Sequence, residues 1–449
     1  MTLPKLSVSE QLAAAFSGMP PTLPVAVAGI CDAVLMDVAG LCVAARNSDY
    51  LQAAFRATAE PGVCTLIGRA GGFNVATAAL CNGTAAHGED YDDTFEGGPV
   101  HAGAVILPAV LAAAEQHGLA GTDAARGIAV GCEVMCRLCL VAPKRVHQAG
   151  FHPTAVFGAL GAAAGVASAL RLDDKQWFNA LGIAGSMASG IIEYLAEGAW
   201  TKRMHPGWAA QAGYHAARMA QAGFSGPRTL FDGEHGFFHA FANSDGCDFT
   251  AMLDGAGKQW LCADIAFTMA HPYIDCARKL VAEGVAPDDV TSIECKTAEG
   301  IVHRLWEPLA AKQNPPNGYA AKFSIPYAIA VGMSRGDAGL IEYEESVVHD
   351  PAVRALAAKV RYVVDPDNPY PRQFTGHLRV TLKTGEVREA SQGHFRGGRE
   401  EPMSAEALED KFTANCFYGG WDMDRARGAL ALLRALRTAP WVDLSELRG

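Results

Sequence analysis

The sequence predicts a mainly α protein of two domains. A large all-α helical domain covers residues 1–265 and is completed by 400–449 returning to it, while a smaller α+β domain covers 266–399. Three observations carry this. Apolar residues recur at three and four spacing almost without interruption up to about residue 265. Beyond that point β-branched residues and alternation enter the pattern. The chain of 449 residues is also too long for one ordinary core.

In chain order, the helical pattern is clearest over 24–45, 74–91, 102–117, 122–141, 154–170, 174–196 and 206–223. HGLAGTD at 117–123, RLDDK at 171–175 and AGFSGPRT at 222–229 mark stops. The most apolar stretch, 154–170, is rich in Ala and Gly, falls just short of the ~18 residues of a membrane span, and reads as a buried helix. Strands are expected over 290–297, 359–365 and 377–391, the last containing a hairpin turn at Lys383-Thr384-Gly385. Helices are expected between them at 272–284, 324–334 and 350–358. Helical patterning resumes from 403 to 440, with no internal repeat anywhere.

A formal net charge of −11 argues against nucleic acid and against an anionic membrane surface as partners. A small anionic substrate remains compatible, provided its pocket gathers cations. The first residues lack a basic stretch followed by a long apolar run, so a cytoplasmic protein is expected. The 12 cysteines, scattered among apolar neighbours, fit a reduced compartment. Cys132, Cys136 and Cys139 share one helical face and read as core, the alternative being a metal site at the C-x-x-C pair.

Two segments carry candidate chemistry. In NGTAAHGEDYDDTFEGGPVHAGAVILP (82–108), His87, Asp90 and Thr94 fall on one face of a helix continued to 94, with Asp92 and Asp93 pointing elsewhere. The segment is either a capped, solvated helix end or a polar wall in which Asp90 fixes a substrate or neighbour and His101 moves a proton. In GAWTKRMHPGWAAQAG (198–213), Thr201, Lys202, Arg203 and His205 precede a helix that Pro206 can start. That is either an anion site or an exposed basic turn. His152 and His271 each precede a Pro and a helical run. Histidines so placed are commonly structural, although a helix N-terminus also keeps imidazole neutral, as a general base requires. P-loop, G-x-G-x-x-G, H-E-x-x-H and G-x-S-x-G patterns are absent.

NGTAAHGEDYDDT (82–94), HAGAVILPA (101–109), FHPTAVFGALGAAAG (151–165), TKRMHPGWAAQAG (201–213), H-x-x-I-D at 271–275 and AKFSIPY (321–327) together resemble the MmgE/PrpD family. The resemblance spans most of the chain. It implies a helical domain with an α+β lid, a site between them, no metal or other cofactor, and a homodimer acting on a di- or tricarboxylate. By matching motifs it implies catalytic roles for Asp90, His101, Lys202 and His271, and substrate contacts from Thr94, Arg203 and His152. The shared chemistry is proton transfer next to a carboxylate, with dehydration of the 2-methylcitrate type expected first and epimerisation or decarboxylation as alternatives. EGGPV before His101 and HPYIDC after FTMA depart from the family pattern, and both bear on which substrate fits.

Overall fold

A computed structural model describes residues 6–98, 100–267, 272–370 and 372–449. The chain divides into two compact units, residues 1–265 with 405–449 and residues 266–404.

The first unit is built from long helices. Its interior consists of Val25–Ala45, Val75–Gly88, Gly103–His117, Gly121–Cys139, Pro153–Ala169, Asp174–Met187 and Thr201–Gln221. Pro153–Ala169 is buried along its whole length, packed against Gly121–Cys139 on one side and Thr201–Gln221 on the other. Small residues make this possible. A Cβ on Gly131 would lie 2.5 Å from Ile106 and 3.0 Å from the Gly161 carbonyl, so only glycine lets these backbones approach. The same holds where Thr201–Gln221 crosses Val75–Gly88: a Cβ on Gly83 would sit 2.6 Å from the Gly207 Cα. Val25–Ala45 is long and apolar enough to cross a bilayer, with mean hydropathy 2.0, but 67% of that stretch is buried, as in a core helix. Ala405–Tyr418 returns to pack on Val25–Ala45. Cys132, Cys136 and Cys139 are all buried on Gly121–Cys139, and burial raises all three thiols above the ordinary range.

Helix ends differ from the sequence expectation in three places. The helix expected over 74–91 begins after Asn74, whose side chain accepts the Thr77 N–H at 2.8 Å, but stops at Gly88 because Asp90 turns left-handed, φ 52°. The one expected over 174–196 ends at Met187. The one expected to start at Pro206 starts at Thr201, with Pro206 inside it. Pro206 cannot donate to the Lys202 carbonyl, so that helical hydrogen bond is missing.

The second unit carries a four-stranded sheet in the order 360–364, 290–297, 376–382, 387–392. Val360–Val364 runs parallel to Val290–Thr297, with Ile293 opposite Val360; the other pairs are antiparallel. Val290, Ile293, Cys295 and Thr297 face inward, which is the alternation seen in the sequence. The hairpin turns through Lys383–Glu386, where Gly385 has φ 85° and the Leu382 N–H donates to the Glu386 carbonyl at 2.8 Å. Pro272–Ala282, Ile325–Arg335 and Pro351–Ala357 close the core around Ile274, Leu280, Trp306, Tyr327 and Leu378.

Candidate active site

The end of Val75–Gly88 supplies the first half of the site. His87 occupies the last turn and is 1% exposed. The left-handed residue Asp90 folds the next four residues back over it. His87 Nδ1 donates to Asp92 Oδ2 at 2.8 Å. Asp93 reaches the other way, its Oδ2 accepting the Gly103 N–H at 2.9 Å at the start of the next helix. His101 is caught between these strands of chain. Its Nδ1 lies 2.9 Å from the Asp93 carbonyl, 3.3 Å from Thr94 Oγ1 and 3.5 Å from Asp92 Oδ2. Its backbone N–H donates to Thr154 Oγ1 at 3.3 Å.

The second half comes from the facing helices. Lys202, in the first turn of Thr201–Gln221, donates its ammonium to Asp90 Oδ1. His205, three residues on, meets His152, the residue that precedes Pro153–Ala169, with the two Nδ1 atoms 3.2 Å apart. His87 and His101 ring centroids are 4.8 Å apart, and His87 and His152 5.7 Å. Tyr194 closes the group with its ring 6.0 Å from His152 and 5.7 Å from His205. Four imidazoles, one ammonium and two carboxylates thus gather inside the helical unit.

Hydrogen-bond chemistry assigns the protons. A peptide carbonyl only accepts, so His101 Nδ1 carries its hydrogen and Nε2 presents a lone pair. Burial, with help from His87 and Lys202, pulls the His101 pKa below its ordinary value despite Asp92, keeping the ring neutral near pH 7. Burial, with His87 and Lys202 again nearby, holds His152 well below that range and brings His205 to about 4. Between two neutral rings in Nδ1–Nδ1 contact, one donates and the other accepts, so their tautomers are opposite. Burial opposes ionisation of Asp90 and Asp92, but Lys202 with His87 and His101 outweighs it at Asp90, and the two histidines do so at Asp92. Both carboxyls therefore titrate below the usual range. Asp93 goes the other way, pushed well up by burial and by Asp92.

His87, Asp92 and His101 each offer a ligand atom within 4.8 Å of one another and could in principle hold a metal ion. The donor set fits poorly. Both histidines face Asp92 through Nδ1, and each Nδ1 already carries a hydrogen directed at oxygen.

Of the residues expected from sequence, Asp90, Thr94, His101, His152 and Lys202 share this site. Arg203, next to Lys202, places its guanidinium over the Tyr50 ring at 4.4 Å. His271 lies outside the described residues. Asp92 and Asp93, expected to point away, point inward, because the helix ends at Gly88 instead of running on to 94. His87 and His205, named in the two candidate segments, were given no catalytic or substrate-binding role from sequence. His205 had a readable signal, three residues after Lys202 on one helix face. His87 had one in its spacing to Asp90.

Buried neutral imidazoles beside an ammonium are groups of the kind general acid–base chemistry uses. The chain matches the MmgE/PrpD N-terminal domain over residues 10–250 and the MmgE/PrpD C-terminal domain over 266–429, and it belongs to the MmgE/PrpD family. It is an enzyme of carboxylate metabolism. Among its relatives are the cis-aconitate decarboxylases of Homo sapiens, 32% identical over 363 residues (75% of this chain and 72% of that protein), and of Mus musculus, 30% over 358 residues (75% and 71%). That of Aspergillus terreus (strain NIH 2624 / FGSC A1156) is 25% identical over 400 residues, 82% and 79% of the two chains.

Proposed function

We propose that this protein is a lyase that releases CO₂ from an unsaturated tricarboxylate of the cis-aconitate type. The observation that carries the chemistry is the bare Nε2 of a neutral His101 beside the Lys202 ammonium. The names of the relatives support loss of CO₂ over the dehydration that the motifs alone put first.

In this reading Lys202 exchanges Asp90 for a substrate carboxylate and stabilises the enolate-like charge that develops on it. Substrate carboxylates raise the His101 pKa, so its Nε2 takes up a proton before the reaction. The carbon–carbon bond to the departing carboxylate breaks, and its electron pair forms a new double bond. The electrons of the old double bond move to the carbon beside a remaining carboxylate, which takes the proton from His101. The sum is one proton consumed and one CO₂ released. His87 and Asp92 hold the neighbouring charge, and the His152–His205 pair forms a second neutral wall.

Dehydration of a hydroxy-tricarboxylate uses the same groups: the bare Nε2 of neutral His101 takes the proton from the carbon beside a carboxylate, and that proton then goes to the departing hydroxyl, which leaves as water. The lone pair on His101 Nε2, free to act as a base, favours keeping this second reading. Incubation with cis-aconitate in deuterated water, followed by carbon NMR, separates the two. Decarboxylation yields CO₂ and a product with one deuterium on the protonated carbon. Release or uptake of water from hydroxylated and unsaturated tricarboxylates without CO₂ would replace it by the second reading.

A further inference from the structure

A buried ion pair lies behind the site. Lys411, from the returning helix Ala405–Tyr418, has its Nζ 2.6 Å from Asp37 Oδ1 on Val25–Ala45. The two side chains are 6% and 0% exposed. Burying two charges in an apolar helical core is expensive unless the arrangement is used, and replacing such pairs by apolar residues is often neutral. This pair has a third contact. Lys411 Nζ donates to the Tyr91 carbonyl at 2.8 Å and lies 4.1 Å from the centroid of the Tyr91 ring. Tyr91 is two residues before Asp93, whose carbonyl receives the His101 Nδ1 hydrogen. The segment between them lies in no helix and follows a left-handed residue, so it needs an external anchor.

We propose that Lys411 and Asp37 are positioning residues for His101: they clamp the Tyr91 carbonyl, and so hold the Asp93 carbonyl where it fixes the His101 tautomer with Nε2 bare. Neither residue touches the reacting atoms. A helix from the far end of the chain thereby sets the geometry of a site formed by residues 87–205. The proposal rests on the role of His101 given above.

The test is Lys411→Met, read by nitrogen-edited NMR of the His101 Nδ1–H resonance and by kcat and KM on cis-aconitate. The resonance is assigned by its loss in His101→Asn. The expected result is loss of the resonance and a tenfold or greater fall in kcat, with KM within about twofold of the parent. Folded Lys411→Met that keeps the resonance and the parent kcat overturns the proposal. If Lys411→Met does not fold, Asp37→Asn/Lys411→Met buries no unpaired charge and gives the same readouts. If even the parent protein leaves cis-aconitate untouched, the functional reading fails, and the resonance alone then decides whether the clamp exists.

Discussion

Asp90 and Lys202, 112 residues apart, form an ion pair whose side chains are only 11% and 10% exposed, and Asp90 holds it from a left-handed backbone conformation. In the absence of substrate the carboxylate of Asp90 occupies the ammonium that an acidic substrate would need. Removing one member leaves the other charged and largely out of water. Lys202→Met is therefore expected to lower kcat by about 10²–10³ and to destabilise the fold by about 3–5 kcal/mol. Asp90→Asn/Lys202→Met should recover most of the stability and none of the activity. Denaturant unfolding of the three variants beside turnover assays checks both halves.

Acidification should act through the paired histidines. The His205 pKa is about 4 in the fold, and the unfolded chain takes up that proton near the ordinary value of about 6.5. The pKa is lowered by folding, so its contribution is complete above about 6.5 and is lost as pH falls toward about 4. For this one group the loss is roughly 3 kcal/mol. His152, lowered in the same way, adds to it. Melting temperature measured from pH 7 to 4 should fall, and His205→Asn should flatten that fall. An identical pH dependence in the variant would show that the pair is not held neutral.

The thiols are expected to be inert. Of the 12 free cysteines, only Cys247 is not buried. Burial raises Cys31, Cys64 and Cys416 to about 12, and thiolate is the reactive form. Titration of the native protein with an aromatic disulfide should count about one fast thiol, and all of them after unfolding. Rapid reaction at three or more sites in native protein would contradict the packing described for Gly121–Cys139.

Gly207 is a sharper probe of the helix crossing. A Cβ there would collide with the Leu80 carbonyl, where Thr201–Gln221 meets Val75–Gly88. Gly207→Ala should force the helices apart, at a cost of about 1–3 kcal/mol, and should lower kcat by moving Lys202 relative to His87. Stability and kcat at the parent level would show that the crossing tolerates a side chain.

The helical unit was legible because Ala, Gly and Val recur at helical spacing, and the sheet because 290–297 alternates strictly enough to place Ile293 and Cys295 inward. The site was legible where residues sit close in sequence, as with Lys202 and His205 or Thr94 and His101. It was not legible where one backbone angle decides the outcome. Asp90 at φ 52° ends a helix that periodicity carries through to 94, and that alone turns Asp92 onto His87 and Asp93 onto Gly103. Pairings across long separations, such as His152 with His205, leave no local pattern to read.

The central claim is tested most directly by CO₂ release from cis-aconitate by the parent protein and by His101→Asn, with melting temperature measured on both. Loss of about 10²–10⁴ in kcat at an unchanged melting temperature is the expected result. CO₂ release by a folded His101→Asn at the parent rate would contradict it.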